Sequence, residues 1–339
     1  MILDWLRNNP DSSSKEIFEG VSPAASYATV KRSLAKLLGE KYLTRQGNAK
    51  NSRYAVSPSF NLFYPVNLEE YYAREMDERK ILSGYNFDLI PGLLHDVQLF
   101  TAAEQTTLDG LQKKFATNCA EMSEFEYRRD MERLAIDLSW KSSQIEGNTY
   151  SLLETERLLR EKQTAAGKTK DEAVMLLNHK EAIDFVLANP DIFRVLGIDK
   201  IENLHGILVK ELGVERNIRK RRVGITGTNY RPLDNEFQIR EALQQTCELV
   251  NSRENVFEKA LFVLVLLSYI QAFTDGNKRL ARIAANSLLI ARKHCPISFR
   301  TVDSVEYKKA MLLFYEQNNI SAFKRIFIQQ FQFAVENYF

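Results

Sequence analysis

Apolar residues recur every three or four positions along most of this chain, a spacing that places them on one face of an α-helix. The segments with this period are residues 125–142, 171–188, 198–212, 280–292, 303–313 and 320–339, and a continuous apolar run fills 260–270. Only 14 glycines and 8 prolines interrupt 339 residues. The pattern predicts a mostly α-helical protein.

The first sixty residues have a different pattern. Short amphipathic segments, the third of which opens at Ser22-Pro23, precede two strand-like runs at 41–45 and 52–56. Three helices followed by a two-stranded wing resemble a winged helix-turn-helix, and we assign it to residues 1–59. The predicted third helix and wing carry Lys31, Arg32, Lys36, Lys41, Arg45, Lys50 and Arg53.

The charge of this N-terminal segment bears on its partner. Residues 1–60 contain nine Lys/Arg and five Asp/Glu, a formal charge of +4. A basic face of this kind can contact the phosphates of DNA. The alternative is a protein–protein module, which would include a homodimer, with an ordinary basic surface. Both interpretations remain open.

Residues 60–99 lack a clear period but are rich in aromatic side chains, including Phe60, Phe63, Tyr64, Tyr71 and Tyr72. Because aromatic side chains are stabilised by removal from water, we expect a connector that packs against the larger domain at 100–339.

Residues 271–282, QAFTDGNKRLAR, lie between two predicted helices and concentrate polar chemistry. Gly276 lets the backbone turn, and the start of the next helix directs unpaired N–H groups and a partial positive charge outward, which favours anions. Arg279 and Arg282 are three residues apart and can bind phosphate oxygens. Asp275 can hold Mg²⁺. The alternative is an Asp-Gly turn between two core helices.

This segment resembles the signature of the Fic family, His-Pro-Phe-x-Asp/Glu-Gly-Asn-Gly/Lys-Arg-x-x-Arg. The matching residues are Phe273, Asp275, Gly276, Asn277, Lys278, Arg279 and Arg282. Gln271 stands in place of the catalytic histidine, and Ala272 stands in place of the proline. The resemblance implies a Fic-type helical bundle that transfers AMP from ATP to a Ser, Thr or Tyr hydroxyl of a target protein.

The same resemblance implies roles for single residues. The loop amides, Asn277 and Arg279 would hold phosphates, Asp275 would hold Mg²⁺, and Arg282 would bind the γ-phosphate. Lys278 replaces the commoner glycine, and we expect its side chain to point to solvent. Tyr307 matches the position that lies against the adenine, and Tyr315 stands where an asparagine is common.

A second motif lies far from the first. Ser142, Glu146 and Gly147 resemble the Fic inhibitory motif Ser/Thr-x-x-x-Glu-Gly/Asn, at the end of a helix that stops near residue 147. The resemblance implies that Glu146 pairs with Arg282 and occupies the γ-phosphate position, so that ATP binds in a non-reactive pose.

Residues 222–232 alternate small and β-branched side chains between glycines, which predicts a short β-hairpin. The segment resembles the Fic flap, which holds a target backbone by strand addition. The resemblance places Thr226, Gly227, Thr228 and Asn229 near the nucleotide. A plain surface hairpin is the alternative.

The missing histidine leaves three functions open. A glutamine amide takes up no proton near neutral pH, and a positioned base contributes roughly 10²–10⁴-fold, so an adenylyltransferase would be attenuated. The chain can instead be a nucleotide-binding pseudoenzyme that acts as an ATP-sensing, DNA-binding regulator. The third function is hydrolysis of an AMP–protein bond, with Glu146 positioning water.

Composition bears on the expected partners, metal sites and location of the protein. The net charge of +2 neither favours nor disfavours an anionic partner. Three widely spaced cysteines predict neither a disulfide framework nor a zinc site. The four histidines lack metal-ligand spacing, and we expect His179 and His205 to be hydrogen-bonded within the core. The run 260–270 is too short to cross a bilayer, so we expect no membrane partner and a cytoplasmic location.

Overall fold

The structure is a computed structural model that describes residues 1–21, 26–39, 42–48 and 51–339. The predicted helix start at Ser22-Pro23 and the cations Lys41 and Lys50 lie outside the described residues. Two compact units are present. One comprises Met1–Val66 with Asn318–Ser321, and the other comprises Asn67–Gln317 with Ala322–Phe339.

The N-terminal unit contains helices and a small antiparallel sheet. Its elements are α1 (Ile2–Asn8), β1 (Ser12–Ser13), α2 (Ser14–Val21), α3 (Tyr27–Gly39), β2 (Leu43–Gln46), β3 (Arg53–Val56) and α4 (Pro58–Phe63). The strand order is β1-β3-β2. Leu6, Ile17, Val30, Leu34 and Leu43 form its core. Three helices and two wing-like strands agree with the expected pattern, β1 was not predicted, and the winged-helix assignment stays a prediction.

The larger unit is almost entirely helical. Its helices are α5 (Leu68–Tyr72), α6 (Ala102–Glu121), α7 (Glu124–Ile145), α8 (Leu152–Glu161), α9 (Lys170–Ala188), α10 (Ile198–Leu208), α11 (Glu236–Ser252), α12 (Val256–Ile270), α13 (Asn277–Ala291), α14 (Ser304–Gln317) and α15 (Ser321–Asn337). Short 3₁₀ or π turns cover Met76–Glu78, Leu89–Leu93 and Pro190–Arg194. No helix among the described residues has the length and apolar character needed to cross a membrane.

The core of this unit is built around α12. Every residue from Phe257 to Ile270 is buried, as expected for a helix that is hydrophobic on all sides. Helix α13 packs against it, and the two are joined by the loop 271–276. The polar segment picked out by the sequence is therefore fixed between two central helices.

Local sequence explains several helix ends. Capping boxes that pair Ser or Thr with Glu start four helices of the larger unit: Thr101 with Glu104, Ser123 with Glu126, Ser151 with Glu154, and Thr169 with Glu172. Helix α10 stops at Leu208 rather than the predicted 212. Glu211 and Gly213 have φ of 61° and 69°, which a right-handed helix does not allow.

The predicted connector is divided between the two units, because residues up to Val66 belong to the first and Asn67 begins the second. Within the larger unit, the Tyr71 hydroxyl donates to Glu316 at 2.7 Å and that of Tyr72 donates to the Lys309 carbonyl at 2.9 Å. The hairpin prediction is wrong. Residues 222–232, all described, contain no strand, only a turn at 226–227.

Arginine side chains bind carbonyls within and beside this segment. Arg219 donates to the carbonyls of Arg221 and Leu233, which flank the segment. Arg79 from the connector donates to the Gly227 carbonyl at 2.9 Å. These carbonyls are therefore satisfied by guanidinium groups rather than by a strand ladder.

Candidate functional site

The loop between α12 and α13 is shaped by two left-handed residues. Gln271, at the end of α12, has φ of 51°, and Gly276, at the start of α13, has φ of 83°. A Cβ added to Gly276 would lie 3.2 Å from Val209 and 3.5 Å from His205. Gly276 is therefore required for both its backbone conformation and its close packing.

Asn277 closes the loop on itself. Its Oδ1 accepts from the Phe273 N–H at 2.9 Å, and its Nδ2 donates to the Phe273 carbonyl at 2.8 Å and to Gln271 Oε1 at 3.3 Å. Both amide protons are thus used within the loop. The structure gives Asn277 a bracing contact, where the resemblance implied a phosphate ligand.

Gln271 is also held by its surroundings. Its Nε2 donates to the Ser268 carbonyl at 2.6 Å and lies 3.5 Å from the Tyr315 hydroxyl. Arg219 Nε donates to its backbone carbonyl at 2.6 Å. The side chain at the histidine position therefore caps its own helix.

His205 supports the loop from below. Its Nε2 lies 2.9 Å from the Asp275 carbonyl, and its ring stacks on Phe273 with centroids 3.7 Å apart. Burial lowers the pKa of His205. The prediction that His205 is hydrogen-bonded in the core is confirmed, although its contact with this loop was not foreseen.

Arg279 is buried beneath the loop. Its side chain is 1% exposed, and its Nη2 lies 3.1 Å from Asp275 Oδ2. Its Nη1 donates to the Leu208 carbonyl at 3.4 Å. Asp275 itself is 64% exposed, so its carboxylate still faces the solvent side.

Arg282 meets the end of α7. Its Nε donates to Ser142 Oγ at 2.7 Å, and its Nη2 donates to the Ser142 carbonyl and to Glu146 Oε1, both at 2.9 Å. The expected contact between Glu146 and Arg282 is present in the structure. Gly147, with φ of 102°, follows Glu146 and ends the helix.

Lys278 binds the same carboxylate. Its Nζ lies 3.3 Å from Glu146 Oε2, and its side chain is only 28% exposed. The prediction that Lys278 points to solvent is wrong, because Glu146 attracts it across the mouth of the loop. We call Ser142, Glu146, Lys278 and Arg282 the Glu146 cluster. Burial opposes ionisation of Glu146, but Arg282 and Lys278 outweigh it and lower its pKa.

His179 is an unforeseen neighbour of this cluster. Its Nε2 lies 2.7 Å from Ser142 Oγ, and both side chains are fully buried. Burial first, and then Arg282, hold the pKa of His179 well below its usual value. The core prediction for His179 is confirmed. Nothing in the sequence linked it to Ser142, because the two residues lie on separate helices.

A cavity of about 480 Å³ opens above the loop. Its polar lining includes Glu146, Gln271 and residues 274–279, and its apolar lining includes Ile145, Ile225, Met311 and Leu312. Of the four flap residues predicted near a nucleotide, Thr226 lines this cavity.

The other flap residues contact different groups. Arg79 binds the Gly227 carbonyl, Thr228 is buried, and Asn229 Nδ2 donates to Asp77 Oδ1 at 2.9 Å. The connector therefore binds this part of the segment through Arg79 and Asp77, and the placement of these three residues near a nucleotide stays a prediction.

Tyr307 borders the cavity but is fully buried. Its ring packs edge-on against Phe299 and Phe323, and the Arg282 guanidinium carbon lies 5.2 Å from its centroid. The contact of Tyr307 with an adenine stays a prediction.

Comparisons with known proteins identify the architecture. Residues 195–289 match the model of the Fic/DOC family. Solved structures with similar folds include Fic-1 (aa134–508) from C. elegans, with 20% identity, TM-score 0.61, and 70% of this chain and 71% of that chain covered. A Fic domain containing signaling protein from Bacteroides thetaiotaomicron has 18% identity and TM-score 0.59 over 68% and 94% of the two chains.

A Fic family protein from Desulfovibrio desulfuricans is similar over 70% of this chain and 74% of that one, with 15% identity and TM-score 0.57. The helical fold is similar to that of solved Fic-domain proteins, and the matched residues 195–289 include the loop. This chain contains a Fic/DOC family domain, in which Gln271 ends the helix before the signature loop.

Proposed function

We propose that this protein is a Fic-type protein adenylyltransferase whose nucleotide site is closed by Glu146 and whose transfer step is attenuated by Gln271. The observation that carries the proposal is the Glu146 cluster at the edge of the cavity. Two cations of α13 converge there on one carboxylate, at 2.9 Å and 3.3 Å. A polyphosphate would offer the same two cations a replacement anion.

The residues present fit a nucleotide with its metal. The Nη1 of Arg282 is buried and has no hydrogen-bond partner among the described residues, so a bound phosphate oxygen could accept a hydrogen bond from it. The first turn of α13 adds N–H groups and a partial positive charge. The exposed Asp275 carboxylate suits Mg²⁺, which commonly takes one or two carboxylates and completes its shell with phosphates and water.

The residues divide the reaction between them. Arg282 would bind the terminal phosphates once Glu146 has moved, and Asp275 would hold Mg²⁺, which would neutralise phosphate charge. The oxygen of a target hydroxyl would attack the α-phosphorus, the bond from that phosphorus to pyrophosphate would break, and the hydroxyl proton would pass to solvent water. Gln271 accepts no proton from that hydroxyl, because its amide has no basic site near neutral pH. Transfer is therefore slow.

The alternative is a nucleotide-binding pseudoenzyme. It is favoured by the bonds of Gln271, whose amide donates to Ser268 and accepts from Asn277. The two functions share one nucleotide site and differ in turnover. Hydrolysis of an AMP–protein bond is less well supported, since it also requires a proton donor at position 271.

Calorimetric titration with ATP, alongside transfer of labelled α-phosphate to the protein itself or to a lysate, tests the proposal. We expect Mg²⁺-dependent binding with slow transfer. Binding without transfer would favour the pseudoenzyme, and absence of binding after substitution of Glu146 would contradict both.

A separate proposal concerns DNA and the N-terminal unit. Lys31, Arg32, Lys36, Arg45 and Arg53 are exposed, although Arg53 pairs with Glu16 at 2.6 Å. If this face binds DNA, Lys31→Ala should reduce the log–log salt slope of binding by about one unit. Because Glu16 already occupies Arg53, Arg53→Ala should have a smaller effect. A flat salt dependence would favour a protein–protein module or a homodimer.

A further inference from the structure

Lys278 and Arg282 hold Glu146 from one helix face. They are four residues apart on α13, so their side chains project in the same direction. Each takes a different oxygen of the carboxylate, Arg282 binding Oε1 and Lys278 binding Oε2. The contact is thus a two-point clamp rather than a single ion pair.

The two cations are held very differently. Arg282 is fully buried and is also tied to the hydroxyl and carbonyl oxygens of Ser142. Lys278 is partly exposed, and Glu146 is its one hydrogen-bonding partner within the described part of the chain. If Glu146 leaves, Arg282 stays where Ser142 holds it, whereas the lysine side chain is free to rotate into the cavity that it lines.

We infer that Lys278 is a mobile anion-binding residue that exchanges the Glu146 carboxylate for a terminal phosphate oxygen of the nucleotide. It thereby takes part first in inhibition and then in binding. The inference rests on the proposed nucleotide site. Removing the carboxylate leaves two adjacent cations beside the start of a helix, which strengthens attraction for a phosphate and repulsion between the cations until one arrives.

A double-mutant cycle on the full chain distinguishes this exchange from the alternative that Lys278 does not bind the nucleotide. ATP affinity is measured with Mg²⁺ in the wild type, Lys278→Met, Glu146→Gln and the double variant. In the wild type, losing Lys278 both loosens the clamp and removes a phosphate ligand, so the affinity should change less than about threefold. Without the Glu146 charge only the second effect remains, and Lys278→Met should weaken ATP about tenfold or more.

Two controls make the result specific. Lys308 lines the same cavity but forms no ion pair with Glu146 in the part of the chain that the structure describes, so Lys308→Met should change ATP affinity equally in both backgrounds. Lys278→Arg should restore most of the affinity in the Glu146→Gln background. AMP lacks the terminal phosphates, and its affinity should change less than about twofold with Lys278→Met.

Each outcome decides the inference. If Glu146→Gln binds ATP and Lys278→Met and Lys308→Met change its affinity equally, the exchange is overturned but the nucleotide site is not. No ATP binding by any folded variant would overturn both. Unequal effects that vanish with AMP would support the exchange.

Discussion

The two ends of the loop between α12 and α13 differ in what their polar side chains bind. At the α13 end, Lys278 and Arg282 converge on a carboxylate that can be replaced. At the α12 end, the Gln271 amide donates to the Ser268 carbonyl and accepts from Asn277, the first residue of α13. The cations at the α13 end therefore hold a carboxylate that another anion could replace, whereas the Gln271 side chain at the α12 end is held by hydrogen bonds within the protein.

This difference separates binding from chemistry. Phosphate binding needs positive charge, which under the proposed function Lys278 and Arg282 at the α13 end would supply once Glu146 had moved. Proton transfer needs a titratable group near its pKa, which the α12 end lacks. Substitutions at the α13 end should therefore change the affinity for ATP. Substitutions at the α12 end should change the rate of AMP transfer or the stability of the protein.

The largest effect is expected when both ends are altered together. The pair Glu146→Gly with Gln271→His removes the carboxylate and restores a base, so self-modification with labelled ATP should exceed the wild-type rate by at least about 10²-fold. Each single variant should gain much less, since one still lacks a base and the other keeps a blocked phosphate site.

The matched control is Glu146→Gly with Gln271→Asn, which keeps an amide at the α12 end and should show little transfer. If the histidine variant bound ATP but remained inactive, the α12 end would have diverged beyond a single replacement and the pseudoenzyme would be preferred. Strong activity in the wild type would contradict our account of Gln271.

The next effect concerns ATP binding through Arg279. Because Arg279 anchors Asp275 and the Leu208 carbonyl from a buried position, Arg279→Ala should disturb the loop as well as remove a charge. Loss of one charge-assisted hydrogen bond, about 1.5–3 kcal/mol, corresponds to roughly tenfold or more in affinity. Calorimetry with a parallel melting curve measures both consequences. Unchanged affinity in a folded variant would contradict a role of this loop in binding phosphate.

A third effect is the pH dependence of the Glu146 cluster. Glu146→Gln leaves buried Arg282 without its counter-charge and should lower the free energy of unfolding by about 1–3 kcal/mol at pH 7. The pKa of Glu146 is lowered in the folded state, so its stabilisation is present above the unfolded pKa of about 4.3. It should disappear as the pH falls through the lower folded value. Denaturant titrations of the wild type and Glu146→Gln from pH 7 to pH 3 measure the difference between their free energies of unfolding. A difference that does not change with pH would show that the carboxylate charge contributes nothing.

The sequence predicted the elements of this site better than the direction of its side chains. Helix α9 was placed within one residue because its limits depend on local signals such as the Thr169–Glu172 capping box. The direction of Lys278 depends on Glu146, 132 positions earlier in the chain. The Gly227 carbonyl, inside the predicted hairpin, accepts a hydrogen bond from Arg79, which lies 148 positions away. Such contacts follow from the packing of distant helices, and no local period encodes them.

The smallest expected effect tests whether the α12 end is only structural. Gln271→Ala removes the side-chain hydrogen bonds to the Ser268 carbonyl and the Tyr315 hydroxyl and the one accepted from Asn277, so it should lower the free energy of unfolding by about 0.5–1.5 kcal/mol. ATP affinity should change less than about threefold, because none of these bonds involves Lys278 or Arg282.

Gln271→Gly sharpens this test. It removes the same bonds, but Gln271 has a φ of 51°, which glycine adopts without steric cost. Gln271→Gly should therefore be more stable than Gln271→Ala by about 0.5–1 kcal/mol in denaturant unfolding, with equal ATP affinity. If both variants lost ATP binding to the same extent while remaining stable, Gln271 would contact the nucleotide, and the two ends of the loop would not be functionally separate.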